Sequence, residues 1–354
     1  MPAAPIPSSS PASPASEDEP LLPFQVELPE IVLPYQIAVA DLRLSQGQIE
    51  VAEQSLAFPL ATAKADVGFS ELFIKQLFID SPWGQLQLSG EQAFKHNFAS
   101  NLSGQWQMPL LEQSLSTQFS LNGDGKALDL WLQSQGAVAA VVDGQLAWLK
   151  PNLPFDIRAE LSQPLSLVAE QLSLERLSIL AAGDLSAYQA QLNSELAGTQ
   201  ALRLSGDVQG DLSRLSAFAL SGELLDGKAT SVNDIDSAEP DHGIGHFKLS
   251  GAASWQQQVQ AQLNATFSDL QLSHWLDLGE QISLPDIDGQ ISASLNEQQW
   301  QVSQAAIQGR WLGLPLSAKA TGEGNLAEQR NQATLEVQLA EQRLSATLEQ
   351  QQQQ

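Results

Sequence analysis

Apolar and polar residues alternate along most of the chain. Leu86 and Leu88 flank Gln87, and the same alternation runs through residues 128–132, 259–263 and 335–339. Successive side chains of a β-strand point to opposite faces, so each such stretch has one apolar and one polar face. The alternation therefore predicts an all-β protein built from short antiparallel strands.

Short turn sequences interrupt the alternating stretches at residues 122–125, 143–144, 226–227 and 288–289. Each contains a glycine after an Asn or Asp, and such pairs supply the positive φ angles that tight hairpins need. We therefore expect a hairpin turn at each of these places.

Short motifs recur along the chain. Gly-Asp-Leu-Ser occurs at residues 183–186 and 210–213. Leu-Ser-Gly occurs at residues 88–90, 102–104, 204–206, 220–222 and 249–251. Recurring short units indicate an elongated fold in which each unit contacts its neighbours.

The two ends differ in composition from the rest. Residues 1–23 are rich in Pro, Ala and Ser and are predicted to be a disordered linker. Residues 350–354 are all glutamine and are predicted to be a disordered tail. Residues 24–349 are predicted to form one elongated β segment, with residues 226–245 as an exposed loop because they are polar and contain Gly and Pro.

The charge balance excludes some classes of binding partner. The 354 residues include 41 acidic and 16 basic ones, giving a net charge of -25. Such a surface repels phosphate backbones, so nucleic acid is not an expected partner. The absence of cysteine excludes thiol catalysis, disulfides and Cys-ligated metals. No apolar run approaches the ~18 residues of a membrane span, and residues 1–20 lack the pattern of a signal peptide, so we expect the chain to be a piece of a longer one.

Three groups of residues superficially suggest a ligand site. His242 and His246 have the spacing of zinc ligands on a helix, but Gly243 and Gly245 disfavour a helix there. Residues 123–126 lack the first glycine of a phosphate loop, and the acidic residues 234–241 lack the central Gly and final Glu of a calcium loop. A polar loop and a hairpin turn explain them better. We therefore predict no catalytic, cofactor or metal site, and no enzyme.

The apolar face of the strands has two explanations. It can pack against a second sheet to form an ordinary core, which the pattern alone favours. Alternatively, the sheet can curl along its length and keep its apolar face as an open groove. Both arrangements require the same alternation.

Several stretches resemble the TamB family of the AsmA-like superfamily. The most specific is residues 79–90, where Asp-Ser-Pro-Trp-Gly leads into an alternating strand that ends in Leu-Ser-Gly. Others are residues 28–34, 153–157, 188–198 and 284–291. They span most of the chain, and they place it in an internal segment of the family, without its N-terminal membrane anchor or its C-terminal domain.

The resemblance implies an elongated antiparallel sheet curled lengthwise into a taco-like groove with an apolar interior. With about 25 strands at ~4.8 Å each, the groove would be roughly 120 Å long. It also implies a non-enzymatic bridge in the periplasm of a Gram-negative bacterium that carries phospholipid between the inner and outer membranes. The implied partners are phospholipid acyl chains, the inner membrane through the missing anchor, and a TamA-type outer-membrane barrel through the missing C-terminal region.

The alternating apolar residues are the predicted lining of this groove. They are Leu42, Leu44, Ile49, Val51, Leu86, Leu88, Leu128, Leu130, Leu172, Leu174, Leu202, Leu204, Val259, Leu263, Leu335 and Val337. A second function, assembly of outer-membrane β-barrel or autotransporter proteins together with TamA, would instead use a free sheet edge. A third is a structural spacer whose own side chains fill the interior, although an aromatic content of 6% is low for a long filled core.

Overall fold

The computed structural model describes residues 24–51, 54–110, 113–168, 172–198, 201–225, 243–256, 258–271, 286–328 and 330–351. The predicted linker (residues 1–23) lies outside this part of the chain. The same is true of most of the predicted loop (residues 226–242) and of the last three residues of the predicted tail.

The described residues form one antiparallel sheet of 21 strands. The strands are β1 (Ile37–Val51), β2 (Gln54–Val67), β3 (Glu71–Ser81), β4 (Gly84–Ala93), β5 (Ser100–Leu110), β6 (Gln113–Asp124), β7 (Ala127–Gly136), β8 (Ala140–Leu146), β9 (Phe155–Leu161), β10 (Leu165–Val168), β11 (Leu172–Asp184), β12 (Ala187–Gly198), β13 (Ala201–Gly210), β14 (Arg214–Leu225), β15 (Gly243–Ser254), β16 (Gln260–Gln271), β17 (Asp286–Asn296), β18 (Gln299–Trp311), β19 (Leu314–Asn325), β20 (Arg330–Leu339) and β21 (Gln342–Gln351).

Each strand pairs with the strands before and after it, with one interruption. β9 pairs with residues 178–183 of β11, and β10 pairs with residues 172–174 of the same strand. β9 and β10 are therefore two pieces of one strand position, broken at residues 162–164. Pro164 lies in the break, where its missing N–H and fixed φ angle prevent regular pairing.

The turn predictions were partly right. The polypeptide turns at Gly125 and Lys126 between β6 and β7, within the predicted residues 122–125. In contrast, residues 143–144 lie inside β8 and residues 288–289 inside β17, so neither pair forms a turn. The glycines there are needed for close packing within the sheet, because a Cβ on Gly289 would collide with the ring of Phe267.

Other local expectations also changed. The first two residues of the predicted tail, Gln350 and Gln351, pair with Asn331 and Arg330 in β20. Residues 243–245, predicted as the end of a loop, begin β15. The predicted turn at residues 226–227 lies outside the described residues.

The residues before β1 run as an extended segment, here called the strap (residues 24–36), along one rim of the sheet. Phe24 N donates to Asn152 Oδ1 at 2.9 Å, next to the turn between β8 and β9. Ile31 N donates to Phe94 O at 3.0 Å, and Leu33 N donates to Phe69 O at 2.7 Å. The strap therefore crosses the strand ends from β9 back to β2, and the rim it follows is called the strap rim.

The turns along the strap rim are hydrogen-bonded to one another. Each turn donates a backbone N–H to a carbonyl of the preceding turn on that rim. The bonds are Gly125 to Asn97, Leu149 to Gly125, Leu185 to Asn152, Leu212 to Leu185, Trp255 to Ser213, Glu297 to Val259 and Leu326 to Gln298, with N···O distances of 2.6–3.2 Å. This second ladder, perpendicular to the strands, fixes the spacing of neighbouring hairpins.

The sheet is a single layer and is not strongly curled. Within the described residues, each strand packs against its hydrogen-bonded neighbours, and no second sheet covers either face. The buried apolar side chains within this part of the chain are few: Ala65, Phe98, Ala139, Ala147, Leu224, Leu225 and Ile287. The sheet-on-sheet core that the pattern alone favoured is therefore absent from the described part of the chain.

Candidate functional site

One face of the sheet carries an unbroken apolar row from the first strand to the last. Directly opposed residues on neighbouring strands share a face, so the strand register identifies the row. Its members, here called the central row, are Leu42, Ala63, Leu77, Leu88, Gly104, Phe119, Leu132, Val142, Ala159, Ile179, Leu192, Gly206, Leu220, Leu249, Ala265, Ile291, Ala305, Ala320, Leu335 and Ala346. At about 4.8 Å per strand, the row extends over roughly 90 Å.

A second apolar row lies two residues closer to the strap rim. It consists of Val39, Ala65, Ile74, Gly90, Leu102, Leu121, Leu130, Gly144, Ile157, Ala181, Ala190, Val208, Phe218, Gly251, Leu263, Ala293, Val302, Gly322, Ala333 and Leu348. We call it the strap-side row. It contains no polar side chain.

A third row, the opposite-side row, flanks the central row on its other side. It consists of Leu44, Ala61, Ile79, Leu86, Trp106, Thr117, Ser134, Ala140 and Leu161, and it continues through Leu177, Ser194, Leu204, Gly222, Phe247, Phe267, Gly289, Ile307, Ala318, Val337 and Leu344. Its polar members are small hydroxyl residues. The three rows form a charge-free strip, called the apolar face, and its outer rows are roughly 14 Å apart.

Most residues predicted to line a groove lie on this face. Leu42, Leu88 and Leu335 are in the central row, Leu130 and Leu263 in the strap-side row, and Leu44, Leu86, Leu204 and Val337 in the opposite-side row. Leu128 lies beyond the strap-side row, opposite Gly123 and Leu146, and Leu174 and Leu202 lie beyond the opposite-side row, both opposite Leu196. That these residues line a lipid groove stays a prediction.

The remaining predicted residues are not on the mapped strip. Val259 lies in the turn before β16 and is 51% exposed. Ile49 and Val51 belong to β1 and Leu172 belongs to β11, but their side chains lie outside what the structure describes.

Sequence reasoning missed the alanines and glycines of the three rows. Several glycines on the apolar face make room for an aromatic ring from the next strand. A Cβ on Gly104 would lie 2.5 Å from Phe119 Cζ, and one on Gly251 would lie 2.7 Å from Phe218 Cε1. A Cβ on Gly222 would likewise collide with the Phe247 ring. The rings therefore cover neighbouring backbone, as in aromatic rescue of strand glycines. The sequence did offer one signal for these glycines, because they occur at the same alternating positions as the leucines.

Small hydroxyl residues interrupt the opposite-side row. Thr117 and Ser134 are cross-strand partners, and both are buried, as is Ser194. The Ser134 hydroxyl accepts a hydrogen bond from Ala140 N at 3.1 Å, so its polarity is satisfied locally. These residues introduce no charge into the strip.

The side chains of the apolar face are only partly covered. Leu42 and Leu335, near opposite ends of the central row, are 44% and 43% exposed. Most central-row residues between them are half-buried, so apolar surface stays accessible along the row. Extended accessible apolar surface is a common feature of interaction sites.

The other face of the sheet, called the polar face, carries neutral and charged hydrophilic residues. Gln87, Gln105, Gln118 and Gln133 stand opposite one another on four neighbouring strands. Further along, Arg203 bridges Glu195 and Glu223, with N···O distances of 3.4 and 3.5 Å. This face is therefore mainly hydrophilic, although Phe78, opposite Gln87, and Leu180, opposite Gln191, also belong to it.

Aspartates at the strap rim hold the hairpin turns. Hydrogen bonds from the hydroxyl and backbone N–H of Ser186 lower the pKa of Asp184. A hydrogen bond from Lys126 N lowers the pKa of Asp124 in the same way. Burial opposes ionisation of Asp211, but hydrogen bonds from Ser213 and Arg214 leave its pKa lowered. The repeated Gly-Asp motif is thus a turn motif, with Gly183 at a φ of 133° that favours glycine.

The described residues offer few candidates for a metal site or a membrane span. Within the described ranges, no three His, Asp or Glu side chains are grouped to hold a metal ion. His246 lies exposed on β15, while Asp241, His242 and residues 234–240 lie outside the described residues. The part of the chain that the structure covers contains no helix able to span a membrane.

Comparison with known proteins identifies a family. Searches of curated proteins and of solved structures returned no match. The family model for the N-terminal domain of TamB matches residues 2–354, nearly the whole chain, which confirms the resemblance to this family. The chain belongs to the TamB family.

Proposed function

We propose that this chain is a non-enzymatic segment of a periplasmic bridge that carries phospholipid between the inner and outer membranes. The observation that carries the proposal is the apolar face, which is charge-free and continuous from β1 to β21. A continuous strip suits a cargo that moves along the molecule, whereas a single deep pocket suits a cargo that stays in place.

Acyl chains gain free energy wherever they cover this face. Each CH₂ group removed from water contributes about 0.8 kcal/mol. The three rows present mostly Leu, Ile, Val, Ala, Gly and Phe, so a tail finds similar apolar contacts along the sheet. Similar contacts make neighbouring positions nearly equal in free energy, which allows a bound tail to slide.

The proposal includes a lengthwise curl of the sheet into a taco-like groove. Bulges provide the means, because they bend a strand and increase its local twist. Register shifts occur at residues 39–42 of β1, 64–65 of β2 and 74–77 of β3. Bending there would bring the strap rim and the opposite rim toward each other over the acyl tails, while the headgroups stay at the open slot.

Location and partners belong to the same proposal. Family membership supports a place in the periplasm of a Gram-negative bacterium, with anchoring in the inner membrane and engagement of a TamA-type outer-membrane barrel.

Site-specific photocrosslinking in cells tests the proposal. A photoreactive amino acid at Leu88, Leu220 or Leu335 should crosslink to phospholipid. The same amino acid at Gln87, Ser221 or Glu336, each one residue away on the polar face, should not. Equal labelling of the two sets, or none at the central row, would contradict the proposal.

The sheet edge favours a second candidate function, assembly of outer-membrane β-barrels. Leu344 and Leu348 on β21 are 66% and 70% exposed, and the described residues provide no strand beyond β21. A client strand that paired there would cover both leucines. If this is the main role, Thr347→Pro, which blocks edge pairing, should impair barrel assembly more than a charge in the central row does.

A further inference from the structure

A hollow of about 450 Å³ lies on the polar face across β3 to β7, away from the apolar face. Its floor is the backbone around Leu88, Gly104 and Phe119, which belong to the central row of the other face. Residues on either side of these floor positions form its two walls. The hollow therefore runs perpendicular to the strands.

One wall consists of amides. Gln87, Gln105 and Gln118 are cross-strand partners, and all three border the hollow. An amide offers both donors and an acceptor. The wall thus presents a regular series of hydrogen-bonding groups at the spacing of the strands.

The facing wall consists of hydroxyls and one indole. Ser89, Ser103 and Ser120 are paired in register, and Trp131 continues the same row on β7. Trp131 is 38% exposed, and it is an aromatic residue in the polar phase of an alternating strand. Its cross-strand neighbours in the row are Ser120 within the hollow and Asp143 outside it, so the indole is a flat apolar surface at one end of the hollow.

These groups are unpaired, unlike similar groups elsewhere on the same face. Among the described residues, neither the Gln87 and Gln118 amides nor the Trp131 indole N–H has a side-chain hydrogen-bond partner, and Gln105 donates only to Ser116 Oγ at 3.0 Å. In contrast, Ser205 pairs with Ser221 at 2.6 Å, and Thr321 pairs with Thr334 at 2.7 Å. The hollow concentrates free donors and acceptors.

The lining of the hollow has a single charged side chain, although the chain as a whole is strongly acidic. No carboxylate lines it, and its one cation, Lys75, is paired with Asp66 at 2.6 Å. A cationic ligand would find more favourable sites elsewhere on a chain with net charge -25, and an anionic ligand would be repelled. The lining therefore complements a neutral ligand that has many hydroxyls and one apolar ring face.

We propose that this hollow binds an uncharged oligosaccharide, with a sugar ring against the Trp131 indole and its hydroxyls hydrogen-bonded to the glutamine and serine walls. Aromatic side chains supply flat apolar contact at low conformational cost, while amides and hydroxyls fix orientation. The site lies on the face opposite the proposed lipid path. It allows the protein to hold a glycan on one face while the other face remains free.

Isothermal titration of the whole chain with three neutral hexasaccharides tests the proposal: β-linked glucose, α-linked glucose and β-linked N-acetylglucosamine. At least one should bind. Trp131→Ala should weaken that binding roughly tenfold, the scale of one lost aromatic contact. Gln118→Ala provides a second, gentler variant. Trp83→Ala is the matched control, because Trp83 is exposed in the turn between β3 and β4 and does not line the hollow.

Absence of binding to all three probes overturns the proposal. So does binding that Trp131→Ala and Gln118→Ala leave unchanged while circular dichroism shows a folded sheet. The outcome is separable from the lipid proposal, because lipid crosslinking at Leu88 in the Trp131→Ala variant should match that of the unsubstituted chain.

Discussion

At the scale of single residues, position in the strand alternation decides what each side chain does. Leu204 and Ser205 are chain neighbours, yet Leu204 belongs to the opposite-side row and Ser205 pairs with Ser221 on the polar face. The same substitution should therefore have different effects at the two positions.

A charge on the apolar face should stop lipid movement. We expect Leu204→Asp to abolish or strongly reduce lipid transfer, because a tail crossing that strand would have to desolvate the carboxylate. The cost to folding should stay below about 3 kcal/mol, since Leu204 is only half-buried. Transfer between donor and acceptor vesicles measures the effect, with Ser205→Asp as the control. Normal transfer by a folded Leu204→Asp protein would show that lipid does not pass this strand.

The absence of a side chain at Gly222 should be needed to accommodate the Phe247 ring against the sheet. The atoms nearest to an added Cβ all belong to the Phe247 ring, so Gly222→Ala must displace that ring toward the space above the face. We expect a loss of about 1–3 kcal/mol in the free energy of unfolding. Urea denaturation of Gly222→Ala, Phe247→Leu and the double variant gives the coupling between the two positions. Strictly additive losses would mean that the ring and the glycine do not compete for space.

Acid should loosen the turns that aspartates hold. The pKa of Asp184 is lowered from 3.8 by Ser186, so ionisation stabilises the fold above that ordinary value, and this stabilisation is lost as the pH falls through the lower folded pKa. Amide exchange at Ser186 and Ala187 should therefore accelerate, relative to its intrinsic rate, only below about pH 4. Asp184→Asn keeps an acceptor oxygen and should remove the dependence on pH, at a cost below about 1 kcal/mol because the group is only partly buried. An unchanged profile would assign the effect to another group.

At the scale of elements, alternation predicted the strands well and turn chemistry predicted the connections less well. β7, β16 and β20 contain the alternating stretches 128–132, 259–263 and 335–339 almost as expected, apart from Val259 in the preceding turn. Gly144 and Gly289 misled the prediction, because glycine in a strand also serves close packing, and a single sequence does not separate the two uses. The break at Pro164 follows from the missing N–H of proline.

The strap was not predictable as a separate element. Its contacts join residues far apart in sequence, such as Phe24 and Asn152, and no local pattern encodes them. The register between strands also depends on contacts between residues far apart in sequence. The membership of the three rows could therefore not be predicted, although the alternation identified their leucines as apolar-face residues. The sequence shows that Trp131 occupies a polar position of an alternating strand. Its unpaired neighbours on the adjacent strands could be identified only once the strand register was known.

The strap should detach without unfolding the sheet. Glu30 Oε1 accepts a hydrogen bond from His96 N at 2.8 Å beside the bond from Ile31 to Phe94. We expect Glu30→Ala to speed amide exchange at Ile31 and Leu33 severalfold, while the strands keep their protection. Glu27→Ala is the control, because Glu27 lies in the strap without a hydrogen bond to the described residues. Equal exchange in both variants would mean that Glu30 does not hold the strap.

At the scale of the whole molecule, the described residues form a sheet of one layer, and no other described element covers either of its faces. An antiparallel sheet of 21 strands with this much exposed apolar surface is hard to explain as a passive spacer, because a spacer gains nothing from a continuous uncovered face. The same surface is what a carrier of acyl chains requires, and its half-exposed residues leave room for a cargo.

Native mass spectrometry of the chain produced in a bacterial periplasm, combined with lipid extraction, tests this account most directly. Several phospholipids per chain should co-purify with the folded protein, and Leu88→Asp should lower that number while Gln87→Asp leaves it unchanged. A folded, β-rich protein that carries no lipid would contradict the account and would direct attention to the sheet edge at β21.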